Sequence, residues 1–174
     1  MVRKLAIVRE LDDTDRRILA LVQKDASLAQ AEIGKRVGLS TAAVHERVKK
    51  LEAAGVIKRW TAVVDPAAVG AQVCAFVEVF FEHPRFEKGF LERVKKLEAV
   101  QECHHITGEF SLLLKVRTAD MSSLQALLLE QLSGQEGVRQ TRTVMVLSTV
   151  KEETFVATMG TTSPALLRDK GEHA

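Results

Sequence analysis

Cysteine is scarce in this chain: only Cys74 and Cys103 occur, and they do not form a metal-type pair. Two thiols among 174 residues exclude a fold stapled by disulfides and fit a reduced compartment. Tyrosine is absent, and Trp60 is the single tryptophan. No apolar run comes near the ~20 residues that span a bilayer. The opening residues MVRKLAIVRELDD lack the long apolar core of a secretion signal. The expectation is a soluble, cytoplasmic chain with no membrane partner. There is also no phosphate loop, no nucleophile elbow and no paired acid–base constellation. No catalytic residue, metal ligand or cofactor is therefore assigned.

What is present is enough for a real core, since 46% of the residues are apolar. The length suits one domain or two small ones. The net charge of +2 says little, but its distribution says more. Residues 1–65 carry 13 Lys and Arg against 9 Asp and Glu, whereas residues 66–174 carry 12 against 14. A basic first part followed by a slightly acidic one suggests that the first meets phosphate and the second does something else.

The richest stretch is LAQAEIGKRVGLSTAAVHERVKKLEAA, residues 28–54. It reads as two short amphipathic helices, Gln30 to Val37 and Thr41 to Ala54, joined by the tight turn Gly38-Leu39-Ser40. A preceding helix, Thr14 to Lys24, is capped by Asp12, with Asp15 three residues on as in a capping box. Val44, Val48 and Leu51 recur at i, i+4 and i+7 and face a core. Projected at the helical period, Ala42, His45, Glu46, Lys49 and Lys50 point away from it. Ser40 or Thr41 starts the helix, and Arg47 lies on the boundary, within reach of a phosphate or of a neighbouring acid. This is the arrangement of a helix-turn-helix, whose second helix enters the major groove of DNA. The alternative is an ordinary solvated helix face. The segment Val56 to Val64 reads as a strand, and Asp65-Pro66 and Gly70 bracket a linker at 65–70.

The remainder alternates. Strands are expected at Gln72 to Glu82, Val100 to Thr107, Ser111 to Thr118 and Val138 to Val150. Helices are expected at Phe86 to Leu97 and Met121 to Leu132, the second with Met121, Leu124, Leu127 and Leu128 inward. The order βαββαβ is that of the ferredoxin-like split βαβ, an antiparallel sheet with helices on one face. Apolar groups on both faces of the first strand, Phe76 and Phe80 against Val77 and Val79, hint at oligomerisation through the sheet. The fold class is α+β: a winged helix-turn-helix domain over 1–64 and a ferredoxin-like ligand-binding and oligomerisation domain over 71–154. A tail follows at 155–174, in which Phe155 and Val156 could add an edge strand.

Several motifs in sequence order carry a family resemblance: Leu11-Asp12-x-x-Asp15-Arg16-x-Ile18-Leu19; Val37-Gly38-Leu39-Ser40; Arg47-Val48-x-x-Leu51-Glu52-x-x-Gly55-Val56-Ile57; Asp65-Pro66-x-x-x-Gly70; Thr107-Gly108-Glu109; and Gly137-Val138-x-x-Thr141-x-Thr143. Together they resemble the Lrp/AsnC family of leucine-responsive, feast/famine regulators over about residues 11–150. The resemblance implies sequence-specific binding to pseudo-palindromic, double-stranded promoter DNA. It implies a homodimer, often assembled into an octamer, and an amino-acid effector held between dimers. Contacts to DNA are expected from Lys35, Arg36, Ser40, Thr41, Ala42, His45, Glu46, Arg47, Lys49 and Lys50. Of these, Lys35, Arg36, Arg47 and Lys50 hold phosphates, and Thr41, His45, Lys49 and Glu46 face base edges.

The family's effector pocket maps by position onto Thr107, Gly108, Glu109, Phe110 and Ser111, with Thr141 and Thr143 opposite. Turn N–H groups can take a carboxylate, and hydroxyls or an acid can take an ammonium. This chain departs from the pattern in two places. Ser111 stands where an aspartate is usual, so either Glu109 substitutes as the partner for an ammonium, or the ligand is different or absent. Asp25-Ala26-Ser27 stands where Asp-Gly-Arg is usual, which removes one phosphate contact. Three rival readings follow. A sirohaem-decarboxylase-like enzyme would draw on His104 and His105, but its Tyr-Asn-x-Trp-like signature is missing. A metal sensor would use Cys103 and His105, too few ligands for a zinc site. An effector-independent architectural DNA-binding protein is the third.

Overall fold

The computed structural model describes residues 11–158, arranged as two units that divide after Ala62 and after Glu152. The first unit holds helices α1 (Asp13–Lys24), α2 (Gln30–Val37) and α3 (Thr41–Ala53). Asp12 Oδ1 accepts from the Asp15 N–H at 2.7 Å, satisfying one of the orphan donors of α1. Gly38 ends α2 in the left-handed conformation, φ 76°. Ser40 Oγ then accepts from the Ala43 N–H at 3.2 Å and starts α3 only two residues later. Ile18, Leu19, Val22, Ile33, Val37, Val44, Val48 and Leu51 form one buried cluster between the three helices.

The strand expected over 56–64 is not formed among the described residues. The Val56 and Ile57 N–H groups fold back onto the Leu51 carbonyl at 2.9 and 3.2 Å, and the residues beyond join no strand, the Trp60 indole N–H donating to Glu52 Oε1 at 2.5 Å. A strand needs a neighbour to take its N–H and C=O groups, and β-prone side chains alone do not supply one.

The second unit is a four-stranded antiparallel sheet in the order β2-β3-β1-β4, from β1 (Val73–Phe81), β2 (Val100–His105), β3 (Leu112–Thr118) and β4 (Val138–Met145). Helices α4 (Glu87–Val94) and α5 (Met121–Ala126) cover one face. The βαββαβ order is as expected. Alternation places Ala75, Val77 and Val79 opposite Val116, Leu114 and Leu112, and all six are fully buried. Each such side chain contributes about 1.5–3 kcal/mol. An exposed ion pair contributes about 0–1 kcal/mol, so this layer, not the surface charge, holds the unit together.

The helix expected to Leu97 ends at Val94 and the strand expected to Thr107 ends at His105, and three further differences have a local cause. The helix expected from Phe86 begins at Glu87, because His83 Nδ1 accepts from the Arg85 N–H at 3.1 Å and caps a separate 3₁₀ turn, Pro84–Phe86. The helix expected to 132 changes winding at Leu127 into a π-helical stretch, Leu127–Ser133. The i→i+5 bonding of a π stretch brings both Leu127 and Leu132 to the core, and at the start of α5 Met121 is 58% exposed instead of inward. The last strand ends at Met145, not Val150. The chain leaves it after the Val146 N–H donates to the Cys74 carbonyl at 3.0 Å. It then returns over the helix-free face of the sheet, where Glu152 pairs with Lys115 and, at 2.7 Å, with Arg117. Val156 does not form an edge strand. It exchanges hydrogen bonds with the Gln23 side chain at 2.9 and 3.1 Å. The rest of the expected tail, from residue 159, lies outside the described residues.

Candidate nucleic-acid interface and effector turn

The outer face of α3 matches its helical projection. Thr41, Ala42, His45, Glu46, Lys49 and Lys50 are all exposed, and Val44, Val48 and Leu51 are buried beneath them. Among the described residues His45, Lys49 and Lys50 have no carboxylate partner, so their donors are available to an outside anion. On α2, Lys35 and Arg36 are exposed but both lean toward Glu32, at 3.8 and 3.1 Å. The Arg36 carbonyl accepts from Arg17 Nη2 at 2.7 Å, which ties α1 to the end of α2.

Arg47 takes the second of the two courses open to it. Its Nη1 lies 2.6 Å from Asp12 Oδ2 and 2.8 Å from Asp15 Oδ1, and the Asp15 side chain is 2% exposed. The Asp15 N–H and then the Arg47 guanidinium hold the Asp12 carboxyl below its ordinary range, and the two acids push the Arg47 pKa up. Arg47 is thus the joint between α3 and the start of α1. The spacing of Asp12, Asp15 and Arg47 was visible in the sequence, but their convergence needed the packing of α1 against α3.

The turn between α2 and α3 is set by close approach. Gly34 faces the Leu39 carbonyl, and a Cβ on it would sit 2.5 Å from that oxygen. The Leu39 N–H donates to the Gly34 carbonyl at 2.9 Å, closing the turn. Gly34→Ala is expected to force the turn open, cost about 1–3 kcal/mol and weaken DNA binding on every sequence alike. Circular-dichroism melting paired with anisotropy titrations on two unrelated duplexes checks this. A variant that keeps wild-type affinity would show that the turn tolerates the extra carbon.

The residues proposed for an effector divide. Thr107 to Ser111 form the turn between β2 and β3, with Gly108 at φ 115° and the Ser111 N–H donating to the Val79 carbonyl at 3.0 Å. Phe110 is 5% exposed, and the Arg142 guanidinium stacks 4.9 Å over its ring. Arg142 also pairs with Glu78, which lowers the Glu78 pKa. Thr141 and Thr143 point the other way. They sit opposite the buried Val79 and Val77, on the face covered by helices, and Thr141 hydrogen-bonds Ser133 Oγ at 2.9 Å. One chain therefore brings the turn together with Glu78 and Arg142, and not with the two threonines. Sequence reading missed Glu78 and Arg142 because only the β1–β4 register sets them side by side.

The pairs His104–Glu102 (3.1 Å) and His105–Glu87 occupy the histidines that an enzyme or metal reading would use. Cys103 shares a face with His105, and burial, then Glu87, pushes its thiol pKa up. Among the described residues no group of three or more His, Cys, Asp or Glu side chains could hold a metal ion. Nor, among them, is any helix long and apolar enough to cross a membrane.

A capped helix presenting unpaired cations, in a chain whose other unit is a ferredoxin-like sheet, defines a DNA-binding regulator with an appended sensing domain. Comparison with known proteins gives the family. The Lrp/AsnC ligand-binding domain matches residues 74–156, and a winged helix-turn-helix DNA-binding domain matches residues 11–58. The chain is 42% identical over 146 residues to the leucine-responsive regulatory proteins of Escherichia coli K12 and Klebsiella pneumoniae, covering 83% of this chain and 89% of each relative. Among solved structures it is similar to a Neisseria meningitidis transcriptional regulator in complex with L-Met (31% identity, 83% and 94% coverage, TM-score 0.79). It is similar also to Escherichia coli AsnC (28% identity, 83% and 97% coverage, TM-score 0.78). This chain belongs to the Lrp/AsnC family of transcriptional regulators. The relatives are named as regulators, not as enzymes.

Proposed function

We propose that α3 reads the major groove through Thr41, Ala42, His45, Glu46 and Lys49, beginning at its Ser40 cap. Lys35, Arg36 and Lys50 neutralise phosphates on either side. The observation that carries this reading is the exposed, unpaired face of a helix anchored from behind by Arg47. Arg47 supports recognition by holding α3 in place, not by contacting phosphate. The partner is double-stranded promoter DNA in the cytoplasm. The chain acts as a homodimer formed through the helix-free sheet face, where Phe76, Phe80 and Leu113 are half-buried and Val144 is 50% exposed. Two-fold symmetry then sets half-sites about one helical turn, ~34 Å, or a multiple apart. Octamers follow where dimers associate.

The effector is an amino acid, as in the complex of the meningococcal regulator. It binds at the 107–111 turn, where backbone N–H groups take the carboxylate and Glu109 takes the ammonium in place of the usual aspartate. Arg142 and Glu78 border this site. Thr141 and Thr143 contribute to the fold beneath it.

Anisotropy titrations with duplex from upstream of the chain's own gene test the reading. Selective, salt-sensitive binding that an amino-acid pool shifts is the expected result. Lys50→Ala should weaken binding on all sequences and flatten the log–log salt slope by about 1. His45→Ala should relax preference at a single base position. A uniform loss on His45→Ala would overturn the groove assignment. Binding without any response to the pool would favour the architectural reading.

A further inference from the structure

We propose a second small-molecule site, separate from the 107–111 turn, that takes a short dicarboxylate and favours an acidic amino acid. It is a half-open cavity of about 330 Å³ between α4 and the loop before β4. Arg85, in the 3₁₀ turn before α4, and Gly89 and Arg93, four residues apart on α4, line it together. Both arginines border the cavity, with Gly89 between them in the chain.

Glycine weakens a helix interior, and no neighbour requires one here: a Cβ on Gly89 would meet nothing within 4 Å. The effect is an open floor, lined by Phe86 and the buried Phe90. The Arg85 guanidinium is already oriented, 4.6 Å from the Phe86 ring centroid. The opposite wall carries Glu136, and it is held against the 3₁₀ turn before α4, where the Gly137 backbone rests directly on the Phe86 ring.

Among the described residues Arg85, Arg93 and Glu136 have no ion-pair partner, although nearby Lys95 is paired with Glu92. Two separated guanidinium forks match two carboxylates better than one compact anion. The aromatic floor suits the methylenes between the carboxylates, and Glu136 suits an ammonium on the same chain.

Calorimetric titration of the full-length protein with glutarate, L-glutamate, L-leucine and inorganic phosphate, at matched ionic strength, tests this. Saturable binding of glutarate and tighter binding of L-glutamate are expected. Arg93→Gln and Gly89→Leu, each checked for an unchanged melting profile, should weaken both by roughly tenfold or more, one strong contact's worth. Glu136→Gln should abolish the preference for glutamate and leave glutarate binding unchanged. The proposal fails if neither dicarboxylate binds saturably, or if binding survives both Arg93→Gln and Gly89→Leu. It fails equally if glutamate binding is lost with Glu109→Gln instead.

Discussion

Arg47→Ala should lower the stability of the N-terminal unit by about 2–3 kcal/mol, with DNA affinity falling only as a consequence. The guanidinium reaches both Asp12 and Asp15, and the Asp15 residue is 1% exposed. Truncation therefore removes the guanidinium bond from a carboxylate that water reaches poorly. For a unit of this size each kcal/mol moves Tm by about 4–8 °C, so a fall of at least ~8 °C in a circular-dichroism melt is expected. Lys50→Ala, on the exposed side of the same helix, should leave Tm within about 2 °C. Equal melting of the two variants, with a flattened salt slope for Arg47→Ala, would return Arg47 to the phosphates. Arg47→Lys should fall between wild type and alanine, because one ammonium cannot serve two carboxylates as a planar fork does.

The same contact has a pH dependence of definite sign. Asp12 is held below its ordinary value of 3.8, first by the Asp15 N–H and then by Arg47. A lowered carboxyl pKa stabilises the fold above the unfolded value, and the gain is lost as pH falls through the folded one. The unit should thus begin to weaken below about pH 4. The loss should be smaller in Arg47→Ala, where only the backbone cap continues to favour the charged form.

Gly137→Ala should be the most damaging single-carbon change in the sheet unit, at about 2–5 kcal/mol. The residue sits at φ 78°, where an L side chain is strained, and the new Cβ would overlap the Cβ and Cγ of Phe86. Those atoms are close to the backbone and cannot swing away as a side-chain tip could. Melting should show the loss in the sheet unit. Introducing Gly137→Ala into a Phe86→Ala background should cost less, since only the backbone strain remains. Additive costs would show that the ring is not what Gly137 accommodates.

Much of this was legible in the linear pattern. The three N-terminal helices, their caps at Asp12, Gly38 and Ser40, and the outward face of α3 all follow from short-range periodicity and capping chemistry. The alternating strands of the sheet follow from a period of two. Reading failed where the answer depended on distant neighbours. Val56 to Val64 has the composition of a strand and no partner to make it one. Met121 fits an α-helical stripe yet stands exposed at the start of α5, and the π winding from Leu127 brings Leu132 inward. Thr141 and Thr143 belong to a resemblance-based pocket, yet the β1–β4 register turns them under the helices.

By itself, then, the sequence determined the helix-turn-helix, the βαββαβ order and the family, because these rest on local spacing and on motifs in order. Only the tertiary structure decided which charges are free. It committed Arg47 to Asp12 and Asp15, and Lys115 and Arg117 to Glu152, while leaving Lys49, Lys50, Arg85 and Arg93 open. The reason is physical: an ion pair depends on a distance of a few ångströms between groups that stand tens of residues apart, and only the packed chain sets that distance.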